Sequence, residues 1–236
     1  MRPSIPDRSA APRILDAREG YRRWAPSYAD ETAISNLEDG LVAAMTPPLA
    51  GLRLLDAGCG TGRRLQRCDA ASAVGVDASV AMLDAGIGRG TTLPDIFTMV
   101  GDVRALPLDD SSFDVAWCRL VIGHLPDCAP AYRELARVAA PGARVIVSDF
   151  HAAAYAAGHR RTFREGETVH EIEHYVHGPE AQIAAAQAAG LTLLEQHEAT
   201  IGETVFPFYH RAGRADLFDA HQGLPVVLAL AFSRDG

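Results

Sequence analysis

The sequence predicts an α/β fold built on a mostly parallel sheet, and three observations carry that prediction. Along residues 52–150, short apolar runs that end in acids alternate with helix-compatible stretches. This is the pattern of strands joined by right-handed crossover helices. Three glycines, Gly58, Gly60 and Gly62, follow the first run at once, so the chain leaves that strand through a tight turn. Asp77 and Asp102 close the next two runs, which puts both acids at the carboxyl ends of parallel strands, where an open α/β sheet gathers its ligand.

Length and composition bound the rest. The 236 residues, 48% hydrophobic and 22% charged, suit a single globular domain over 1–236 with a substantial core. A net charge of −8 argues against a general nucleic-acid or anionic-membrane partner. The longest apolar run, Leu224 to Phe232, is too short to span a bilayer. Residues 1–12 have no apolar signal-peptide centre and read as a disordered leader. The four cysteines, Cys59, Cys68, Cys118 and Cys128, show no metal-ligand spacing and read as reduced thiols of a cytoplasmic protein.

Taken in order, residues 13–48 form a helical cap, broken near Pro26 and closed by Pro47-Pro48. Its segment YRRWAPSYADE carries Tyr21, Trp24 and Tyr28, either as an amphipathic face packed on the sheet or as a cover over a ligand. The strand from Leu52 to Asp56 enters the glycine turn, and Thr61 is placed to cap a helix running to about Cys68. A second strand ends at Asp77. Ser79 caps the next helix, with Val80, Met82 and Leu83 as its apolar surface. Residues 86–94 form a glycine-rich connection before the strand Ile96 to Val100. Phe113 to Cys118 is the fourth strand, Ala129 to Val138 a helix, and Pro141-Gly142 a turn into the fifth strand, Arg144 to Phe150. The segment Pro179 to Ala189 is a helix ended by Gly190, and Leu191 to Thr200 a strand. An aromatic-rich insert, 201–223, then precedes the last strand and reads as a lid or as a cover for one sheet edge.

The glycine turn lets a ligand approach the main chain. Asp77 can accept from two ribose hydroxyls, and Asp102 from an adenine amino group. The stretches DAGCGTG, VGVDAS, GDVRALPLDDSSFDVAWC and RELARVAAPGARVIVSDF together resemble the ordered motifs of class I S-adenosylmethionine-dependent methyltransferases of the small-molecule type. The resemblance covers residues 21–150 and fades beyond. It implies a Rossmann-like sheet of seven strands, helices on both faces and an antiparallel last strand. It also implies S-adenosylmethionine as cofactor and methyl transfer to a nitrogen or oxygen of a small molecule, by a monomer or homodimer. By the same resemblance Gly58, Cys59, Gly60 and Gly62 meet the methionine portion, and Asp56 orders the loop and reaches the amino group. Asp77 and Ala78 take the ribose, while Met82, Asp102 and Val103 flank the adenine. Cys118 closes the strand beneath, and Tyr21, Trp24 and Tyr28 fold over the cofactor.

Methyl transfer needs alignment, dryness and an unprotonated nucleophile. Histidine suits the last task, so His124 after the fourth strand and His151 after the fifth are the candidate bases. Five of nine histidines lie between His151 and His177, and His174, Tyr175 and His177 join Tyr28, His124 and His151 as candidate acceptor contacts in an acidic, polar-aromatic pocket. Arg160, Arg161 and Arg164 are candidates for a substrate carboxylate or phosphate. The string HEIEH at 170–174 matches a zinc-peptidase pattern that requires a helix. With Val169, Ile172 and Val176 it reads better as a strand, and no metal is expected. Two alternatives stand beside the main reading: a nicotinamide-dinucleotide oxidoreductase, disfavoured by Arg63 and Asp102, and a non-catalytic protein that only binds the cofactor.

Overall fold

The computed structural model describes residues 12–28, 32–87 and 95–235. The chain opens with β1 (Arg13–Leu15), α1 (Ala17–Trp24) and α2 (Ala33–Met45). It then alternates through β2 (Arg53–Ala57), β3 (Ser72–Asp77), α3 (Val80–Ile87), β4 (Ile96–Val100), β5 (Phe113–Arg119), α4 (Ala129–Val138) and β6 (Ala139–Phe150). After α5 (Ala152–Ala156) come β7 (Thr162–Glu165), β8 (Thr168–Ile172), α6 (Pro179–Ala188) and β9 (Leu191–Thr200). The short helices α7 (Phe206–Arg211) and α8 (Ala215–His221) precede β10 (Pro225–Arg234).

Seven strands form one sheet in the order β4-β3-β2-β5-β6-β10-β9. Only β10 runs against its neighbours, pairing antiparallel with β6 and β9. The period of two along each strand sorts side chains onto two buried faces. Leu55, Ala116, Cys118, Val145, Leu228 and Leu230 pack with Tyr132 and Leu135 of α4 and Ala186 of α6. Leu54, Val115, Trp117, Ile146 and Ala229 pack with Val42 and Met45 of α2 and Leu83 of α3. Burial on both faces explains why β5 and β10 read as nearly continuous apolar runs. The edge strand β4 leaves Phe97, Met99 and Val100 exposed. Among the described residues no helix is long and apolar enough to cross a membrane.

Two expectations are corrected. Residues 13–15 are a strand, not helix: β1 pairs parallel with β8 in a second sheet of order β1-β8-β7, with Leu15 opposite Ile172. The helix begins only where the Asp16 carboxylate accepts the Glu19 N–H at 2.9 Å. No α-helix follows the glycine turn. Gly62 sits at φ +67°, outside the helical region, and only a single 3₁₀ turn, Leu65–Arg67, forms. Thr61 therefore caps nothing, and its hydroxyl is buried without a partner. The insert 201–223 packs Val205 and Phe218 against Ala33, Ile34 and Leu37 of α2 and Val226 and Val227 of β10. It lines neither of the cavities described below. Of the strand expected through 170–176, only the start forms: β8 covers Thr168–Ile172, and residues 173–178 are irregular. The predicted leader, but for Pro12, and most of the 86–94 connection fall outside the described residues.

Beneath the glycine turn lies a charged cluster with no local sequence signature. Glu38 of α2 is wholly buried and accepts from Arg119 at 2.8 and 2.7 Å, from Arg64 at 2.8 Å and from the Ser148 hydroxyl at 2.6 Å. Asp39 takes Arg64 at 2.9 Å and Arg119 at 2.5 Å. Two acids and two arginines thereby tie α2 to β5, β6 and the glycine turn, and the paired guanidinium groups hold both carboxyls below the usual range despite burial.

Candidate active site

A cavity of about 260 Å³ opens over the carboxyl ends of β2, β3 and β5. Gly58, Cys59, Gly60, Asp77, Ala78, Met82, Asp102 and Val103 line it. The turn is drawn under the sheet by the N–H groups of Gly58 and Cys59, which donate to the Val76 carbonyl at 2.6 and 3.1 Å. Gly58, at φ +86°, lies so close to Val121 that a Cβ there would meet its Cγ2 at 2.2 Å. Glycine is thus required on two counts. The Asp77 carboxylate accepts the Gly60 N–H through Oδ2 and the Ser79 N–H through Oδ1, both at 2.8 Å. Burial pushes its pKa up against those two bonds. Each oxygen retains a lone pair toward the cavity, so this carboxylate fits a vicinal diol, and the apolar surfaces of Met82 and Val103 fit a planar ring. Asp102 is gripped by Arg104 at 3.0 and 2.6 Å, which holds its carboxyl below the usual range.

Not every residue read as a cofactor contact reaches this cavity. Gly62, Trp24 and Cys118 do not line it. Trp24 stacks on Phe163, at 5.3 Å between centroids, as part of the core under the small sheet. Asp56 lies behind the turn, almost wholly buried, with both carboxylate oxygens unpartnered, and burial pushes its pKa up to about 6.

A second cavity of about 370 Å³ lies between α1, the start of α2 and β7. Tyr21, Tyr28, Arg63, Arg64, Leu120 and Arg161 line both cavities, so the two share a wall. Leu120, at φ +58°, holds a left-handed backbone at this junction, a strained conformation for a branched residue. The expected acidic pocket is instead basic. Arg63, Arg64, Arg160 and Arg161 line it with no carboxylate among the described lining residues.

His124 lines the first cavity. Its Nδ1 lies 3.3 Å from the Glu173 carbonyl oxygen, which only accepts, so Nδ1 carries the proton and Nε2 is an acceptor. Arg161 Nη1 and the Tyr21 hydroxyl each lie 3.0 Å from that Nε2, and Nη1 also donates to the Tyr21 hydroxyl at 2.6 Å. Burial and the Arg161 charge drive the His124 pKa well down, and the ring is neutral at pH 7. The other histidine candidates line neither cavity. His151 caps α5 by accepting the Ala153 N–H at 3.0 Å. His174 is wedged against Gly123 with both nitrogens unpartnered, and burial draws its pKa down to about 4. His177 donates to the Leu125 carbonyl at 2.7 Å. Tyr175 is fixed by its backbone N–H on the Gly123 carbonyl at 2.7 Å.

A single antiparallel strand in a seven-stranded α/β sheet, with a glycine turn at the strand ends beside the switch in strand order, defines the Rossmann-like methyltransferase class. Residues 55–147 match the family described as a methyltransferase domain. A malonyl-[acyl-carrier protein] O-methyltransferase from Dechloromonas aromatica is 32% identical over 213 residues, which are 85% of this chain and 73% of that protein. A 27-O-demethylrifamycin SV methyltransferase from Amycolatopsis mediterranei is 37% identical over 127 residues, 51% of this chain and 46% of that protein. For several such curated relatives the match spans only about half of their length. An S-adenosylmethionine-dependent methyltransferase from Mesorhizobium loti has the same fold, with a TM-score of 0.66 at 21% identity over 86% of this chain and all of that one. The chain belongs to the class I S-adenosylmethionine-dependent methyltransferases, and S-adenosylmethionine is its cofactor.

Proposed function

We propose that this protein transfers a methyl group to a nitrogen or oxygen of a small molecule seated in the second cavity, with the cofactor in the first. The observation that carries this reading is the shared wall, through which a cavity lined by the glycine turn and Asp77 meets one large enough for a small acceptor. S-adenosylmethionine supplies a methyl already activated by positive sulfur. The chain's own residues hold, orient and dry the reactants. Gly58 and Gly60 present backbone, Asp77 takes the ribose, and Tyr21 and Tyr28 offer aromatic faces suited to a sulfonium. His124 keeps its proton at Nδ1, and its single Nε2 lone pair already accepts from the Tyr21 hydroxyl, with Arg161 Nη1 beside it. Base assistance from it would require displacing the tyrosine, so proximity and desolvation carry most of the rate.

The test is calorimetric titration with S-adenosylmethionine, S-adenosylhomocysteine and NAD, on the wild type and on Asp77→Ala. Micromolar binding of the first two, weakened at least tenfold in the variant and absent for NAD, is the expected result. Binding of NAD alone would sink the reading. Formation of S-adenosylhomocysteine with an added acceptor separates an enzyme from a protein that only binds.

A further inference from the structure

We propose that the second cavity recognises its acceptor through an anionic group, a carboxylate or a phosphate, held by Arg161; this deepens the methyltransferase reading and rests on it. Four arginines line the cavity in a chain whose net charge is −8, and three of them are already occupied. Arg64 is neutralised by Glu38 and Asp39. Arg63 lies 3.8 Å from Asp39. Arg160 stacks on Tyr155 at 3.7 Å, donates to the Tyr155 and His159 carbonyls, and lies 3.7 Å from Glu171.

Arg161 differs. Its Nη1 donates to the Tyr21 hydroxyl at 2.6 Å and the Leu120 carbonyl at 3.0 Å, and meets His124 Nε2 at 3.0 Å. These fix the plane of the guanidinium without neutralising it. No carboxylate among the described residues pairs with it. Asp149, the buried acid whose charge it feels, spends Oδ1 on the Phe150 N–H at 2.7 Å. Nε and Nη2 make no hydrogen bond to a described residue, and the side chain lines both cavities. Those two nitrogens form the side of the guanidinium that grips a carboxylate or phosphate with two parallel hydrogen bonds. An enclosed cation with no paired carboxylate is costly, and a ligand anion removes part of that cost. The first turn of α2, through Thr32, Ile34 and Ser35, lines the same cavity and adds the positive end of its dipole.

The experiment titrates protein saturated with S-adenosylhomocysteine against inorganic phosphate, malonate and glycerol. It is run on the wild type, on Arg161→Lys, which keeps the charge but loses the fork, and on Thr162→Glu, an exposed lining position where a carboxylate competes for Arg161. Expected is saturable binding of phosphate or malonate but not glycerol, weaker by about tenfold in both variants, with S-adenosylhomocysteine affinity unchanged in Thr162→Glu, which lines the second cavity alone. The tighter of the two anions names the group. Wild type that binds S-adenosylhomocysteine but neither anion, or anion binding untouched by both substitutions, overturns the proposal. Should Arg161→Lys not fold, Thr162→Glu decides alone. Wild type that fails to bind S-adenosylhomocysteine overturns instead the reading on which the proposal rests.

Discussion

At the residue scale, Asp56 stands apart because it is buried with neither oxygen hydrogen-bonded. Its pKa rises from the ordinary aspartate value to about 6, so the folded state binds a proton that the unfolded state has already released. Its contribution to stability is therefore lost as pH rises from about 4 to about 6 and stays lost above that range. Asp56→Asn is expected to leave stability at pH 4 nearly unchanged and to raise it at pH 7.5 by up to about 3 kcal/mol. Urea unfolding at the two pH values reads the difference, and a variant less stable at pH 7.5 would show that the carboxylate has a partner. The family resemblance implied that Asp56 orders the loop and reaches the cofactor's amino group. It lies inside β2, almost wholly buried, and lines neither cavity. By contrast Asp77, ending the adjacent strand, is held at the cavity by the Gly60 and Ser79 amides.

The helix α2 shows what a sequence pattern leaves out at the scale of the element. Its bounds follow from a Thr32–Ser35 capping box and the prolines at 47 and 48. Its most consequential residue, Glu38, has partners 26, 81 and 110 positions away, beyond any local periodicity. Glu38→Gln keeps the shape but leaves Arg64 and Arg119 with one acid between them. The expected cost is about 3 kcal/mol. Asp39→Asn, at a carboxylate about one-third exposed, is expected to cost about 1 kcal/mol. Denaturant midpoints for the pair check the ranking. The three-stranded sheet was hidden for a related reason: β1 has three residues and is completed by a strand more than 150 positions later, too short to alternate visibly. The missing helix after the turn was misread because the spacing of the glycines does not reveal which of them take positive φ.

Across the whole molecule, the parallel sheet was legible because burial on both faces writes continuous apolar runs, whereas the chain reversal at β10 was implied only by the family resemblance. The glycine turn and its acids were legible because they adjoin in sequence. The second cavity was not, since its wall is assembled from α1, α2, the end of β5 and β7; an acidic pocket was expected there, although Arg160 and Arg161 were already candidates for a substrate anion. The cavity's charge carries a kinetic consequence. With Arg161 lining the hollow without a paired carboxylate among the described residues, in a chain of net charge −8, an anionic guest crosses a repulsive exterior before it reaches an attractive interior. Added salt is expected to quicken its capture and shorten its residence together. Stopped-flow binding of phosphate across ionic strength resolves the two rates, and a capture rate that falls with salt would place the attraction on the outside.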